Sequence, residues 1–116
     1  MIVLPFPPSV NRMWRSVRGR NILSKHGREY REAGLLALAS QREALYQWPA
    51  AARLSVSISV YPPDRRRRDL DNMPKAVLDL LTHGGVYADD SQIDRLEIVR
   101  REVHPGGRVV VTVRAL

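Results

Sequence analysis

Three things are scarce in this 116-residue sequence: it has no cysteine, only two lysines and no long apolar run. Without cysteine, neither a disulfide framework nor a thiolate metal site is available, which fits the reducing cytosol. No apolar segment approaches the roughly 20 residues that cross a bilayer. The opening segment MIVLPFPPSV lacks the basic and apolar regions of a signal peptide. We therefore expect a cytoplasmic protein without a membrane segment.

Length and apolar content indicate one folded domain. Hydrophobic residues make up 44% of the chain, which is ordinary for a globular protein and too high for a disordered one. A chain of this length lies within the usual size of one domain and would hardly build two separate cores. We predict a single domain over residues 1–116.

Charge is strongly one-sided. The chain carries 19 lysines and arginines against 12 acidic residues, for a net charge of +7. All of the basic residues except Lys25 and Lys75 are arginines, which bind phosphate through two hydrogen bonds and stack on bases. The charge predicts an anionic partner and favours nucleic acid. Arginine is also enriched over lysine in GC-rich genomes, so this alternative stays open.

The apolar pattern predicts an α+β fold in which elements follow in the order β-α-β-α-β-β. We expect a small mixed β-sheet of about four strands with two helices packed on it. In chain order, a strand, a basic loop, a helix, a strand, a second helix and two strands are predicted over residues 2–6, 9–24, 25–48, 54–60, 72–83, 96–103 and 108–114.

The segment PPDRRRRDLDNMPKAVLDLL, residues 62–81, joins four arginines to two aspartates. If the chain is extended before the second helix, the carboxylates of Asp69 and Asp71 converge on one side. Such carboxylates repel each other unless a cation lies between them, and Mg²⁺ or Mn²⁺ prefers such oxygen ligands. A second acidic pair, Asp89 and Asp90, follows the helix. The alternative is structural: Asp71 caps the helix, and the second pair builds a turn.

Lys75 shares the polar face of this helix with Asn72 and Asp79, because these residues are spaced i, i+3 and i+7. A lysine one turn from two carboxylates can neutralise charge that develops on a phosphate. The alternative is an ion pair between Lys75 and Asp79, worth roughly 0.5 kcal/mol or less.

The basic segment 9–24 contains Arg12 and Trp14, which are candidates for contacting unpaired bases. For Trp14, packing beneath the segment against the sheet is an equal alternative, since tryptophan is usually largely buried.

The run DLDNMPKAVLDLL, followed by YADDSQI, resembles the RusA-type Holliday-junction resolvases. Their signature reads D-x-D-N-x-x-K-x-x-x-D-x-L, with an acidic pair before Ser-Gln some ten residues later. The segments LPFPPSVNRMWR and PPDRRRRD are also similar to the family, so the resemblance covers nearly the whole chain. The signature positions are filled here by Asp69, Asp71, Asn72, Lys75, Asp79, Leu81, Asp89, Asp90, Ser91 and Gln92.

The resemblance implies a homodimeric, Mg²⁺-dependent endodeoxyribonuclease that resolves four-way DNA junctions by paired symmetric nicks. Mn²⁺ is expected to substitute for Mg²⁺, and no nucleotide cofactor is implied. Carried over by position, Asp69, Asp71 and Asp90 would be catalytic acids that bind the metal, with Lys75 as the catalytic lysine. As a hypothesis, four arginines would clamp the phosphates beside the branch point, namely Arg65, Arg66, Arg67 and Arg68.

Two other functions remain open from the sequence. One is a non-catalytic protein that binds branched or single-stranded DNA through the same basic surface. The other is a basic protein that binds RNA or an acidic partner, for which the acidic pattern would be accidental. Converging carboxylates repel phosphate unless a metal is present, so the acids favour the enzyme over both.

Overall fold

A sheet and a hairpin, joined by three helices, account for most of this computed structural model, which describes residues 1–116. The strands are β1 (Ile2–Leu4), β2 (Trp14–Val17), β3 (Arg20–Leu23), β4 (Leu54–Tyr61), β5 (Ile93–Arg100) and β6 (Arg108–Ala115). The helices are α1 (Val10–Met13), α2 (Lys25–Ala39) and α3 (Pro74–His83). Three single-turn 3₁₀ helices cover Arg42–Leu45, Leu70–Asn72 and Asp90–Gln92. None of the helices has the length and apolar character needed to cross a membrane.

The main sheet is mixed, with strand order β1-β6-β4-β5. Strand β4 pairs antiparallel with β6 and parallel with β5, while β1 pairs antiparallel with β6. The connection between the two parallel strands passes through α3, as a parallel pair requires a crossover. The predicted α+β fold with a mixed sheet of about four strands is therefore confirmed.

The alternating sequence of β4 sets the two faces of this sheet. Leu54, Val56, Ile58 and Val60 are buried, and the serines between them are only half-buried. The buried face continues into β6, and helices α2 and α3 supply the rest of one contiguous core. Burial of alternate residues is the pattern of a sheet that is covered on one face, as the sequence predicts.

The prediction of a loop over residues 9–24 is wrong. Helix α1 is followed there by an antiparallel hairpin of β2 and β3, which is closed by Arg18 (φ 52°) and Gly19 (φ 76°). Two successive residues with positive φ form the tight turn whose twist matches that of a hairpin. Most of the hairpin residues are exposed, so the strands carry no alternation of apolar residues that would reveal them.

Helix α2 ends at Ala39, nine residues before the predicted end at Trp48. Gln41 adopts an extended conformation, and its side chain pairs with the backbone of Val3, donating to the carbonyl and accepting from the amide at 2.6 and 2.7 Å. At the other end, Ser24 caps the helix, because its hydroxyl accepts a hydrogen bond from the Gly27 amide. Because the helix ends at Ala39, the side chain of Gln41 can reach and cover the edge of β1.

Helix α3 begins at Pro74 and is preceded by the 3₁₀ turn over Leu70–Asn72, where the sequence predicts a continuous helix from Asn72. Its buried residues are Ala76, Val77, Leu80 and Leu81, whereas Leu78 is half-buried. Strand β5 also lies three residues earlier than predicted. Asp69 is therefore the residue before the 3₁₀ turn, and Asp71 lies within that turn, so both precede the helix.

Replacing Gly27 with alanine is expected to lower the free energy of unfolding by about 1–3 kcal/mol. An added Cβ atom would lie 2.3 Å from the Met13 carbonyl oxygen, which belongs to the backbone and cannot rotate away. The comparison variant is Gly34→Ala in the same helix, whose Cβ would lie 2.3 Å from a methyl group of the Leu80 side chain and would meet no backbone atom among its nearest contacts. Urea unfolding of both variants measures the difference, and an equal or larger loss for Gly34→Ala would contradict it.

Candidate active site and nucleic-acid interface

Asp69 and Asp71 lie at the 3₁₀ turn before α3, and both are exposed. Neither carboxylate takes part in any of the hydrogen bonds or ion pairs formed by side chains of the molecule. The N-cap residue of α3 is Met73, and no side chain makes a capping hydrogen bond there. Asp71 therefore does not serve the capping role that the sequence left open, and both carboxylates are available to a ligand.

Asp89 has a structural role in the turn that follows α3. Its side chain accepts a hydrogen bond from the Ser91 amide at 2.8 Å, and this bond is the first cause that lowers the pKa of Asp89. The buried amide of Gln92 completes a capping box, since its oxygen accepts from the amide of Asp89 and its nitrogen donates to Pro49 and Ala52 carbonyls. The first acid of the pair thus builds the turn, and Gln92 anchors it.

Asp90 faces α3 instead. Its Oδ1 atom accepts a hydrogen bond from Thr82 and lies 3.2 Å from the hydroxyl of the buried Tyr87. Burial raises the pKa of Tyr87, which keeps that hydroxyl protonated. The pKa of Asp79 is raised by its partial burial and then by the negative charge of Asp90, while the positive charge of Lys75 opposes the shift. Asp90 therefore sits in an acidic neighbourhood on the polar side of α3.

These carboxylates have the donor chemistry of a Mg²⁺ site without forming a closed set. No three acidic or histidine side chains come close enough together to hold an ion. The oxygens of Asp69 and Asp71 are free, and Asp90 has one oxygen outside its hydrogen bonds. Hard carboxylate oxygens of this kind suit Mg²⁺. The donor chemistry of these residues fits a divalent cation, although no three of them lie together within one chain.

Lys75 is exposed, and its ammonium lies 5.2 Å from the centre of the Trp14 ring. It forms none of the ion pairs in the molecule, so the predicted alternative of a Lys75–Asp79 pair is not what the structure contains. Trp14 is half-buried against the core, and its indole nitrogen is buried without a partner. This placement favours the packing alternative for Trp14. The Trp14 ring lies between the core and the ammonium of Lys75 and contacts both.

The four arginines before Asp69 fall into two kinds. Arg68 is held: it donates to the Asp64 carboxylate at 2.8 Å and lies over the Phe6 ring at 5.3 Å. Arg66 is loosely held by the same carboxylate at 3.7 Å. Arg65 and Arg67 are exposed and form no ion pair. Two arginines are thus free to bind an anion, while Arg68 shapes the segment that presents them.

Replacing Asp64 with asparagine is expected to lower the Tm at pH 7 by on the order of 2 °C. The hydrogen bond from Arg68 is the first cause that lowers the pKa of Asp64. A lowered pKa means that the ionised carboxylate stabilises the folded state above its ordinary pKa of about 3.9, and that this stability is lost as the pH falls through the lowered value. Thermal unfolding from pH 7 to pH 2.5 should therefore show the two Tm values converging below about pH 4. A constant difference would contradict the assignment.

Free arginines and acids meet in a cleft of about 780 Å³. One wall is the apolar segment from Pro5 to Pro8, and the opposite wall is formed by residues 66–69 with Asn72 and Met73. Arg12 enters from α1 with its guanidinium 3.1 Å from the ring of His26. Tyr30 lines the cleft with a buried hydroxyl that has no hydrogen-bond partner. Sequence segments that are far apart thus bring Arg12, Arg67 and Asp69 together.

Sequence reasoning missed several residues of this surface. Phe6, His26 and Tyr30 line the cleft, although the sequence pattern assigned them to a strand, a helix end and a helix core. On the other side of the arginine segment, a depression of about 460 Å³ adds Arg100 and Arg101 to the basic surface. One sequence signal could have indicated the cleft, namely the prolines on both sides of Phe6. Prolines disfavour regular secondary structure and restrict the backbone, which suits a fixed lining segment.

Comparison with known proteins covers nearly the whole chain. The family described as Endodeoxyribonuclease RusA matches residues 5–114. The crossover junction endodeoxyribonucleases RusA of Shigella sonnei and Escherichia coli K12 are each 39% identical over 112 residues, covering 97% of this chain and 91% of theirs. The enzyme of the same name from Enterobacteria phage HK97 is 35% identical over 114 residues, covering 98% and 92%. This chain belongs to the RusA endodeoxyribonuclease family.

Proposed function

We propose that this protein is a metal-dependent endodeoxyribonuclease that resolves four-way DNA junctions by paired nicks and acts as a homodimer. The relatives that cover the chain are crossover junction endodeoxyribonucleases. The observation that carries the proposal is the placement of free arginines and a free carboxylate, Asp69, in one cleft, while Asp71 is free in the same 3₁₀ turn as Asn72, which lines the cleft. Hydrolysis of a phosphodiester needs both signs of charge at one place.

The basic residues would bring the DNA backbone to the acids. Arg12, Arg65 and Arg67 are exposed and form no ion pair with an acid, so each can exchange its solvent for a phosphate oxygen. The net charge of +7 adds a long-range attraction that is screened by salt. Arg68 would act indirectly, because its bonds to Asp64 fix the segment from which its neighbours project.

Asp69, Asp71 and Asp90 are the residues that would hold Mg²⁺, with Mn²⁺ as a substitute. A bound ion of this kind lowers the pKa of its water and stabilises the leaving oxygen. Thr82 and Tyr87 would orient Asp90 through the bonds that they make to its Oδ1 atom. Lys75 would stabilise the negative charge that develops on the phosphate in the transition state. No nucleotide cofactor is needed for this chemistry.

Two chains are required by the symmetry of the substrate. A four-way junction is close to two-fold symmetric, and its resolution needs a nick in each of two strands. With one group of acids in each chain, a dimer with two-fold symmetry places one group at each of the two positions.

Cleavage of a synthetic four-way junction, beside linear duplex of the same sequence, tests the proposal. With Mg²⁺ we expect symmetric nicks in two opposed strands of the junction alone, and with EDTA we expect binding without cleavage. Binding in EDTA with no cleavage under Mg²⁺ or Mn²⁺ would instead identify a DNA-binding protein without catalysis. A steep loss of affinity with salt is expected in either case, since it reports phosphate contacts and not chemistry.

A further inference from the structure

The two edge strands of the main sheet differ in whether another part of the chain forms hydrogen bonds with their outer backbone groups. The outer edge of β1 is covered by the side chain of Gln41, which makes both hydrogen bonds that a neighbouring strand would make to Val3. Strand β5 forms the opposite edge and pairs only with β4. Unpaired edges bind other strands unless they are covered or interrupted. The edge of β5 is therefore the long outer edge at which the sheet can be extended.

The sequence of this edge, IDRLEIVR, carries charged residues and has a register shift against β4 at Asp94, but its pairing with β4 is regular from Arg95 to Arg100. It runs for eight residues without the proline or lysine that commonly blocks strand addition. Leu96, at its middle, has 42% of its surface exposed. Arg95 and Glu97 flank it on the opposite face of the sheet, 3.7 Å apart within the chain. When a second copy of this strand runs antiparallel with Leu96 opposite Leu96, each Arg95 lies opposite a Glu97. The strand is therefore complementary in charge to a second copy of itself.

We propose that β5 pairs antiparallel with β5 of a second copy of this chain, with Leu96 of one copy opposite Leu96 of the other. In this register Arg95 of each copy lies opposite Glu97 of its partner, and two interchain charge pairs form. Charged side chains directly opposite each other stabilise a strand pair when their signs differ and destabilise it when they match. The inference rests on the homodimer proposed above and names the surface through which it forms.

This pairing also orients the two groups of acids. Antiparallel strands are related by a two-fold axis perpendicular to the sheet, so the helices of both copies lie on one face of an eight-stranded sheet. The arginine segment is tied to the far end of β5, because the Arg100 side chain donates to the Arg68 carbonyl. The two Arg100 positions are eight residues apart in this register, which is about 26 Å along the strands. Both groups of acids would thus face one DNA molecule.

Oxidative cross-linking through Leu96→Cys gives a direct test, because the chain contains no cysteine of its own. Opposed residues of an antiparallel pair have Cα atoms about 4.5–5.5 Å apart, which is within the reach of a disulfide. We expect a covalent dimer in high yield on mild oxidation. The matched control is Asp94→Cys on the same strand: its copies would be four residues out of register, about 13 Å apart, and should stay uncoupled.

Charge reversal supplies a second, reversible test. Arg95→Glu alone or Glu97→Arg alone places like charges opposite each other twice, and we expect the dimer Kd to rise by about 10-fold or more. A mixture of the two variants restores opposite charges at both positions and should form a heterodimer as tight as the wild type. Sedimentation equilibrium at low and at high salt measures the Kd of the wild type, of each variant and of the mixture, and added salt should reduce the differences between them.

The outcomes separate this surface from the dimer itself. A wild-type dimer in which Leu96→Cys fails to cross-link, or in which both single reversals leave the Kd unchanged, would overturn the surface and leave the proposed function standing. A wild-type protein that stays monomeric at the highest concentration measured, free and on junction DNA, would overturn both the surface and the homodimer.

Discussion

Replacing Asp71 with asparagine is expected to reduce junction cleavage by at least about 100-fold, because loss of a carboxylate removes one of the charges that would hold the cation. The substitution keeps the size of the side chain. Asp71 is exposed and makes no hydrogen bond within the protein, so the Tm should hardly change. Junction binding in EDTA should be retained or become tighter, since one negative charge beside the phosphates is gone. Initial cleavage rates and gel-shift titrations measure the two effects separately.

The matched control for this experiment is Glu32→Gln, which removes the same charge from an exposed position of α2 that has no ion pair and belongs to a different element from the acids before α3. It should cleave at the wild-type rate. A wild-type rate for Asp71→Asn at ordinary Mg²⁺ concentrations would show that the acids before α3 are structural. Equal losses in both variants would show that the effect follows from net charge instead of from a metal site.

The second large effect is expected for Lys75→Met, which should reduce the rate of the chemical step by about 10²–10³-fold. Methionine keeps an apolar chain of similar length over the Trp14 ring and removes only the ammonium. The loss should therefore appear in single-turnover cleavage, with a junction Kd that changes by no more than the loss of one exposed charge produces. Folding should be unaffected, since Lys75 is exposed and forms no ion pair.

The chain offers one natural control, because it has only one other lysine. Lys25 lies in the first turn of α2, where it is exposed and forms no ion pair. Lys25→Met changes the total charge by the same amount and should leave single-turnover cleavage intact. If both substitutions lowered the rate through a weaker Kd, Lys75 would be one more contact to phosphate and would have no part in the transition state.

Predictions from the sequence succeeded where a local pattern has a local cause. The alternation in β4 depends only on which face is buried, and Pro74 ends the extended segment because it suits a first helical turn. The same signals placed Asp69 and Asp71 directly before α3. The predicted end of α2 was wrong because the apolar spacing of a helix continues past Ala39. The helix itself ends at Ala39, and the side chain of Gln41 forms hydrogen bonds with β1. This partner in β1 lies 38 residues away in the sequence.

The candidate site shows the same limit. Spacing indicated Asp69, Asp71 and the polar position of Lys75, whereas the choice of Asp90 came from the resemblance to the RusA family. The sequence did not distinguish the four arginines from one another. Only the folded chain distinguishes Arg68, which is held by Asp64 and Phe6, from its exposed neighbours. The hairpin was missed because strands exposed on both faces have no apolar alternation. The cleft combines three distant segments, and no pattern within any one of them predicts it.

The contact between Lys75 and Trp14 ties the lysine to the hairpin of β2 and β3, which begins at Trp14 and is mostly exposed. A DNA branch that presses on this hairpin would shift the indole, and with it the position from which the ammonium acts. The hairpin would then work as a sensor of substrate shape. Duplex that leaves the hairpin untouched would bind without moving the lysine, so discrimination between substrates would be expressed in turnover and not in affinity.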